Sequence, residues 1–266
     1  MARILLLFLL FTCVSRASAE EIVLYGAGSL REAINAIAAD YTKATGVGVR
    51  TQFGPSGLMR EKIEAGDKVD LFASADMGQA LELRHDGFAV SVVMFARNSL
   101  CAFATPEVAL TPANFAERLI DPKVKLGTST PRADPGGDYT WKMFELIEKA
   151  HPGAFAVLDG KAQKIIGGST APDPADPNPI ASAFRRGQIN VMIGYCSGAS
   201  RMRADAPGVE PVPVPEAFAV GPEYGLALKS YANPAAVALA FAILSPEGQA
   251  KLASFGFAPI AMISGR

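Results

Sequence analysis

A buried strand that passes through a glycine turn directly into an amphipathic helix is the feature that most limits the fold. The stretch "IVLYGAGSLREAINAIAADY", residues 22–41, opens with an apolar run and then places apolar side chains at helical spacing. Gly46 ends the predicted helix, and 47–53 is the next predicted strand. Repeated units of this kind predict an α/β fold with mainly parallel sheets flanked by helices.

The alternation continues and then starts again near Arg97. In the first part, a short helix is predicted from Ser56 to about Gly66, followed by a strand at 69–76. In the second part, the sequence predicts strands at 99–104, 124–129, 189–195 and 224–229, helices at 139–150 and 180–186, a proline-interrupted extended crossing segment at 209–218, and one broken or two consecutive helices over 234–255. The segment 171–179 is too rich in proline for a helix or an interior strand.

The N-terminus has the pattern of a secretory signal peptide. Arg3 precedes an apolar run, 4–14, and Ala17-Ser18-Ala19 is a small-x-small cleavage signal. We therefore expect residues 1–19 to be removed and the mature chain to begin at Glu20 in the periplasm. An uncleaved anchor is the alternative, but the apolar run is too short to span a bilayer.

Composition and charge narrow the classes of function. Hydrophobic residues make up 50% of the chain and charged residues 19%, which is enough for a sizeable core and argues against disorder. The formal net charge is −1 and no basic stripe is present. The sequence therefore predicts neither a nucleic-acid partner nor binding to an anionic membrane surface.

The glycine turn does not match a nucleotide-binding loop. Gly26 and Gly28 fit the first two glycines of the dinucleotide motif, but Arg31 stands in place of the third. The second strand ends at Gln52-Phe53 without a ribose-binding carboxylate, and the chain has no Gly-Lys-Ser/Thr motif. Nucleotide binding is therefore disfavoured.

Three predicted helices begin at turns that could hold an anion. Ser29 and Ser56 each follow a strand and open a helix, and Gly136 lies in the "PGGDY" turn before a third. Helix starts present free amide N–H groups and the positive end of the helix dipole. Several starts that converge would form an anion site without any lysine or arginine; ordinary serine N-caps are the alternative.

Enzymatic motifs are missing from the sequence. The two histidines, His85 and His151, lie in no zinc motif, and no Gly-x-Ser-x-Gly elbow occurs. Asp70 and Asp76 flank one strand without further metal ligands, and Asp76 is expected to cap the next helix. We therefore predict that the protein is not an enzyme and carries no cofactor; a hydrolase with Ser56 as nucleophile is the disfavoured alternative.

The motifs "GAGSLREAINAIAADY", "FGPSGLMREKIEAGDKVDLFASAD", "PGGDY" and "INVMIGYCSGA" resemble the periplasmic molybdate-binding proteins of ABC transporters, over roughly residues 21–257. The resemblance implies a type II periplasmic binding protein fold, with two lobes that close on a tetrahedral oxyanion in the cleft between them. Lobe I would contain 20–96 and 214–266, and lobe II would contain 97–213. The partners implied are molybdate or tungstate and a membrane ABC permease, with the protein as a monomer.

The resemblance also implies which residues contact the ligand. Ser29, Ser56 and Tyr195 match the hydroxyl donors of the family, and Gly136 matches a backbone amide donor. Pro177 stands where a fifth amide is expected, and proline has no N–H, so either Asn178 takes its place or the contact is lost. No cationic side chain is expected at the site. Core packing is the alternative role for Tyr195.

Composition alone does not decide whether the two cysteines of the mature chain form a disulfide or remain free thiols. Cys13 lies in the predicted signal peptide, and Cys101 and Cys196 could form a disulfide in an oxidising compartment or remain buried thiols. In the architecture implied by the resemblance, the two strands that carry them run antiparallel side by side. The resemblance therefore implies a Cys101–Cys196 disulfide beside Tyr195.

A second interpretation keeps the fold and changes the ligand. The departure in the proline-rich segment 171–179 could reshape the pocket for another oxyanion or a small organic acid. A cavity much larger than a four-oxygen ion would favour that interpretation.

Overall fold

The structure, a computed structural model, describes residues 21–168 and 178–260. The predicted signal peptide, most of the proline-rich segment and Pro177 lie outside these residues. The described residues form ten strands: β1 Ile22–Ala27, β2 Val49–Gly54, β3 Leu71–Ser74, β4 Ser91–Arg97, β5 Leu100–Ala104, β6 Leu126–Ser129, β7 Gln163–Ile166, β8 Val191–Tyr195, β9 Glu210–Pro213 and β10 Glu223–Leu228.

Ten α-helices flank these strands in the described part of the chain. They are α1 Arg31–Thr45, α2 Ser56–Glu64, α3 Met77–His85, α4 Phe115–Ile120, α5 Pro135–Ala150, α6 Ala154–Lys161, α7 Pro179–Arg185, α8 Ala199–Asp205, α9 Pro234–Leu244 and α10 Pro246–Ser254. The C-terminal segment is thus two consecutive helices, separated at Ser245, whose side chain accepts the amide N–H of Gly248. Gly46 ends α1 with a left-handed φ of 76°, as the sequence predicts.

Two five-stranded sheets follow one plan. The first has the order β2-β1-β3-β10-β4 and the second the order β7-β6-β8-β5-β9. In the first, β2, β1 and β3 are parallel and β10 runs antiparallel to both β3 and β4. In the second, β7, β6 and β8 are parallel and β5 runs antiparallel to β8 and β9. Four strands in each sheet share one direction, which confirms the predicted mainly parallel α/β architecture.

The chain passes between the sheets twice, between β4 and β5 and between β9 and β10. The predicted start of lobe II, Arg97, is the last residue of β4, and the predicted return to lobe I at residue 214 directly follows β9. The division into two lobes at these positions stays a prediction. We call the first sheet with its helices the first half, and the second sheet with its helices the second half. Each half has its own buried apolar clusters, with Leu24, Phe95 and Tyr224 among the buried residues of the first and Leu126, Phe144 and Ile193 among those of the second.

The sequence analysis did not predict α4, α6, β7 and α8, and two further strands differ from its predictions. The residues Ser91–Arg97 form β4, which the sequence analysis missed, although Val92, Val93 and Phe95 have the side chains that favour strands. Residues Glu210–Pro213, predicted as a crossing segment, form the edge strand β9 beside β5. An edge position suits this proline-rich sequence because proline cannot donate a ladder hydrogen bond.

Candidate functional site

The candidate site is a cavity of about 620 Å³ between the two halves. Its wall is built by residues at the ends of strands β1, β2, β3, β6, β7 and β8 and at the starts of the following helices. Four of the five residues predicted to bind ligand line this wall: Ser29, Ser56, Asn178 and Tyr195. Cavities of small-molecule sites measure about 300–1,000 Å³, so this one has the volume of an organic ligand site.

Ser29 lies in the 3-10 turn before α1 and ends a chain of hydrogen bonds. Asn98 accepts the amide N–H of Ser99 and donates from Nδ2 to the Tyr224 hydroxyl at 3.1 Å. The Tyr224 hydroxyl lies 3.0 Å from Ser29 Oγ. Either hydroxyl can be the donor in this pair, because the Tyr224 oxygen has a second lone pair beside the one that accepts from Asn98. When Tyr224 donates, the proton of Ser29 is free for a group inside the cavity.

Ser56 is the first residue of α2 and is 1% exposed. Its Oγ accepts the amide N–H of Ala75 at 3.1 Å, which comes from the end of β3. With that lone pair occupied, the Ser56 hydroxyl is positioned to donate. Neither Ser29 nor Ser56 acts as a helix N-cap, since α1 and α2 show no side-chain capping bond.

Tyr195 ends β8, and its buried hydroxyl oxygen makes no well-formed hydrogen bond among residues 21–168 and 178–260, although it lies near the Tyr224 hydroxyl. Burial, reinforced by the neighbouring Tyr224, raises the pKa of Tyr195 well above its ordinary value. The hydroxyl therefore keeps its proton and is a donor. A buried polar group without a partner is costly, and a ligand oxygen would satisfy it.

The disulfide predicted beside this tyrosine is present in the structure. Cys101 of β5 is bonded to Cys196, the residue after Tyr195, with a Cα–Cα distance of 5.0 Å. Strands β5 and β8 are antiparallel and place Leu100 opposite Tyr195. The disulfide therefore braces the strand end that carries the Tyr195 hydroxyl.

Gly136, the fifth predicted ligand contact, does not line the cavity, whereas the carboxyl of the nearby Asp134 does. Its amide N–H donates to Asp134 Oδ1 at 2.8 Å, and Asp134, the N-cap of α5, lines the cavity together with Ser129. The amide expected to bind ligand is thus already engaged. Burial, with a smaller effect of Asp138, raises the pKa of Asp134 to about 6, against the lowering effect of the Gly136 amide.

Asn178 reaches the cavity with its side chain engaged on both ends. Its Oδ1 accepts the amide N–H of Ala181 at 3.1 Å as the N-cap of α7, and its Nδ2 donates to Asp205. Asn178 therefore shapes the wall and fixes Asp205. Pro177, at which the resemblance implies a fifth amide contact, lies outside the described residues.

Two arginines at the wall correct the expectation of a site without cationic side chains. Arg31, in the first turn of α1, lies with its guanidinium carbon 5.1 Å from the ring centroid of Phe53. Arg201 of α8 lines the opposite side, with Nε 3.2 Å from Asp205 Oδ2. The helical pattern places Arg31 on an exposed face, and no motif distinguishes it in the sequence.

Direct contacts between the halves close the cavity on one side. The amide N–H of Gly57 donates to the carbonyl of Ala133 at 3.1 Å, and a Cβ at Gly57 would lie 2.3 Å from the carbonyl oxygen of Arg132. Tyr139 donates to Asp76 Oδ2 at 2.9 Å across the same boundary. The structure is therefore a closed arrangement of the two halves.

No cluster of three potential metal ligands lines this cavity in the described part of the chain. The one cluster of three potential metal ligands there, Glu82, His85 and Asp86, is exposed and is not part of the cavity wall. Asp76 caps α3 through the amide N–H of Gln79, as predicted from the sequence. His151 lies beside Phe218, also away from the wall.

Known proteins share this architecture and carry different ligands. The chain is 35% identical over 206 residues to an uncharacterized protein, PM1146, of Pasteurella multocida, which covers 76% of this chain and 84% of that protein. The molybdate-binding protein of Azotobacter vinelandii superposes with a TM-score of 0.71 at 16% identity, over 91% of this chain and 100% of that one. PEB3 of Campylobacter jejuni, in a structure with L-phospholactate bound, superposes with a TM-score of 0.69 at 15% identity, over 90% and 99%.

At these identities the structural likeness shows the fold alone. No helix among residues 21–168 and 178–260 combines the length and apolar character that a membrane span requires. The family model of the bacterial extracellular solute-binding proteins matches residues 22–258, nearly the whole described chain. The protein therefore belongs to the bacterial extracellular solute-binding protein family.

Proposed function

We propose that this protein is the periplasmic binding component of an ABC importer and captures its ligand by an oxyanion group held on Ser29, Ser56 and Tyr195. The supporting observation is that these three hydroxyl-bearing residues line one cavity. Ser56 accepts a backbone N–H, which leaves its own proton for the cavity, and Ser29 shares with Tyr224 a hydrogen bond in which either oxygen can donate. The Tyr195 hydroxyl is buried and makes no well-formed hydrogen bond among the described residues, although it lies near the Tyr224 hydroxyl.

The energies are consistent with anion capture. Moving an ion into a protein interior costs several kcal/mol after relaxation, and each hydrogen bond to a charged group contributes about 1.5–3 kcal/mol. Three hydroxyls would contribute roughly 5–9 kcal/mol by this measure. Arg31 and Arg201 add positive charge at the rim of the same cavity, so the site does not rely on neutral donors alone.

Molybdate or tungstate is the first ligand candidate. The motifs around Ser29 and Ser56 resemble those of molybdate-binding proteins, and the Azotobacter vinelandii protein has the same fold. Both ions have four oxygens and nearly the same size, so the same donors would serve either one.

A small organic acid or another oxyanion is the second candidate, and the cavity favours it. A water molecule occupies about 30 Å³ of liquid, so a four-oxygen ion fills roughly 120 Å³. The cavity measures about 620 Å³ even though the two halves are in contact. The phospholactate in the PEB3 structure is an organic ligand of this class on the same fold.

Capture rather than catalysis is the activity proposed for Ser56. Its hydroxyl oxygen accepts from a backbone amide, and neither histidine lies at the cavity wall within the described residues. An activated serine needs a hydrogen-bonded base. The carboxyl groups at the wall, Asp134 and Asp205, bond Gly136, Asn178 and Arg201 instead. Release would follow docking of the monomeric protein on its permease, since opening of the halves exposes the cavity.

Calorimetric titration of the purified mature chain tests this function. The panel is molybdate, tungstate, sulfate, phosphate and a set of small phosphonates, and we expect at least one dissociation constant below about 10 μM. Ser56→Ala should weaken the binding of that ligand by roughly 10–150-fold, because the variant loses one charge-assisted hydrogen bond. Ser254→Ala is the matched control, because that exposed serine only bonds the carbonyl of Lys251. Failure of every anion to bind in a Ser56-dependent way would refute the proposal.

A further inference from the structure

The cavity wall carries two arginines in addition to the three hydroxyls. Arg31 projects from the first half and Arg201 from the second. No carboxylate of the described residues forms an ion pair with Arg31; its Nη2 makes a long contact of 3.4 Å with the carbonyl of Phe53. Arg201 has one partner, Asp205, which it shares with Asn178. One guanidinium at the wall is thus free of a counter-charge.

Closure brings these two positive charges toward each other. Arg31 and Arg201 lie on different halves, and the halves are in contact through Gly57 and Tyr139. Burial, followed by the charge of Arg201, lowers the pKa of Arg31 from its ordinary value. Like charges that approach in a partly desolvated cleft raise the energy of the closed state. Asp205, which is paired with Arg201, offsets part of this repulsion, and an anionic group between the two guanidinium groups would offset the rest.

Apolar side chains line the space beyond the hydroxyls. The second half contributes Phe103, Ile166, Ile180, Met192 and Met202 to the cavity wall. Burying an inorganic ion against such side chains has no benefit, whereas a hydrocarbon body gains about 25 cal/mol per Å² of apolar surface removed from water. A ligand that contacts this wall therefore has carbon atoms as well as charged groups.

We propose that the ligand is a two-headed organic anion, with a phosphate or phosphonate group on Ser29, Ser56 and Tyr195 and a carboxylate between Arg31 and Arg201. Its short carbon body rests on the apolar wall. This inference rests on the proposed oxyanion capture and names its ligand class. Arginine suits the second head because its planar guanidinium can bind a carboxylate through two hydrogen bonds.

A matched pair of ligands isolates the second head. Propylphosphonate and 3-phosphonopropionate have the same number of carbons and differ by a terminal methyl or carboxylate. We expect the wild-type protein to bind 3-phosphonopropionate at least tenfold more tightly by calorimetry. Arg31→Gln and Arg201→Gln should each reduce this ratio severalfold toward one. Ser56→Ala should weaken both phosphonates by similar factors and leave the ratio in place.

Arg50→Gln is the control for the loss of one positive charge in the first half, because Arg50 is exposed and paired with Glu21 at the surface. It should leave the ratio unchanged. Thermal melting of each variant establishes that it is folded. A wild-type ratio near one, or a ratio that survives Arg31→Gln and Arg201→Gln, would overturn the two-headed ligand.

The outcomes separate this inference from the proposed function. Molybdate binding that depends on Ser56 but not on Arg31, with weaker binding of both phosphonates, would keep oxyanion capture and refute the two-headed ligand. Absence of Ser56-dependent binding for molybdate and for both phosphonates would refute both.

Discussion

The two halves share a strand plan but differ in how their helices begin at the cavity. In the first half, α1 and α2 start without a side-chain cap, beside the hydroxyls of Ser29 and Ser56. In the second half, α5 and α7 are capped by Asp134 and Asn178. At the third helix start of each half the order is reversed, since Asp76 caps α3 whereas α8 has no side-chain cap. The same topology thus leaves two of three helix starts uncapped in the first half and one of three in the second.

This difference assigns separate tasks to the two walls. Uncapped helix starts with hydroxyls favour a concentrated negative group, because the helix dipole and the donors act on the same atoms. Capped helix starts with apolar neighbours favour contact with the uncharged body of a ligand. A carboxyl group such as Asp134, which would repel an anion, can be present there. Duplicated topology therefore does not imply duplicated chemistry.

The largest expected effect concerns the disulfide of the second half, which has no counterpart in the described part of the first. Replacing both Cys101 and Cys196 by alanine should lower the free energy of unfolding by about 4–5 kcal/mol, because the bond closes a loop with a sequence separation of 95. Urea denaturation measures this loss. Amide hydrogen exchange should become faster mainly in β5 and β8. Equal increases of the exchange rate in both sheets would contradict a local role of the disulfide.

The next effect tests the uncapped side directly. Ser29→Ala should weaken the tightest ligand by about 1.5–3 kcal/mol, since the variant removes the last donor of the Asn98–Tyr224 chain. Asn98→Asp should weaken binding as well, because it withdraws the amide donor that orients Tyr224. Calorimetry measures both. If Ser29→Ala binds normally, the first half does not hold the charged group.

Contact between the halves can be blocked at one residue. Gly57→Ala would place a Cβ 2.3 Å from the Arg132 carbonyl oxygen, so we expect the closed state to lose about 1–3 kcal/mol and ligand affinity to fall accordingly. Small-angle scattering should show no compaction on addition of ligand. Gly160→Ala is the control, because no atom lies within 4 Å of its added Cβ. Normal compaction of Gly57→Ala would mean that the halves meet differently.

The smallest effect belongs to the capped side and depends on pH. The pKa of Asp134 is raised to about 6, so the folded protein holds this proton more tightly than the unfolded chain. Its stabilising contribution is full below the unfolded value of 3.8 and is lost as the pH rises through about 6. A nearby anion should raise this pKa further, and ligand affinity should fall by at most tenfold per pH unit above 6.

Asp134→Asn isolates that titration, since asparagine can still cap α5. The difference in affinity between wild type and variant should grow from pH 5 to pH 8, and the ligand's own ionisation cancels in the comparison. The groups around Asp134 that could interfere are Asp138, Tyr195 and Tyr224. A constant difference across this range would show that Asp134 does not sense the ligand.

Sequence patterns predicted the fold well because strand and helix periodicities are local. The family resemblance of the motifs around Ser29, Ser56 and Tyr195 assigned these residues to one site, and the structure brings all three to one cavity wall. Their contact with a ligand stays a prediction. The sequence did not predict that Tyr224 contacts Ser29 or that Arg201 shares the cavity wall with Arg31. Both depend on how distant parts of the chain pack together. The "ADPGG" turn does not decide which group accepts the Gly136 amide N–H, since a ligand or the Asp134 carboxyl could do so. In the structure Asp134 accepts it.

The position of β10 between β3 and β4 has a consequence for biogenesis. The first sheet lacks an interior strand until residues 223–228 are available, although its other four strands end at Arg97. A nascent chain that ends before Glu223 therefore leaves β3 and β4 unpaired on facing edges. Such edges are prone to intermolecular pairing. The first sheet can therefore complete its strand pairing only when nearly the whole polypeptide is available.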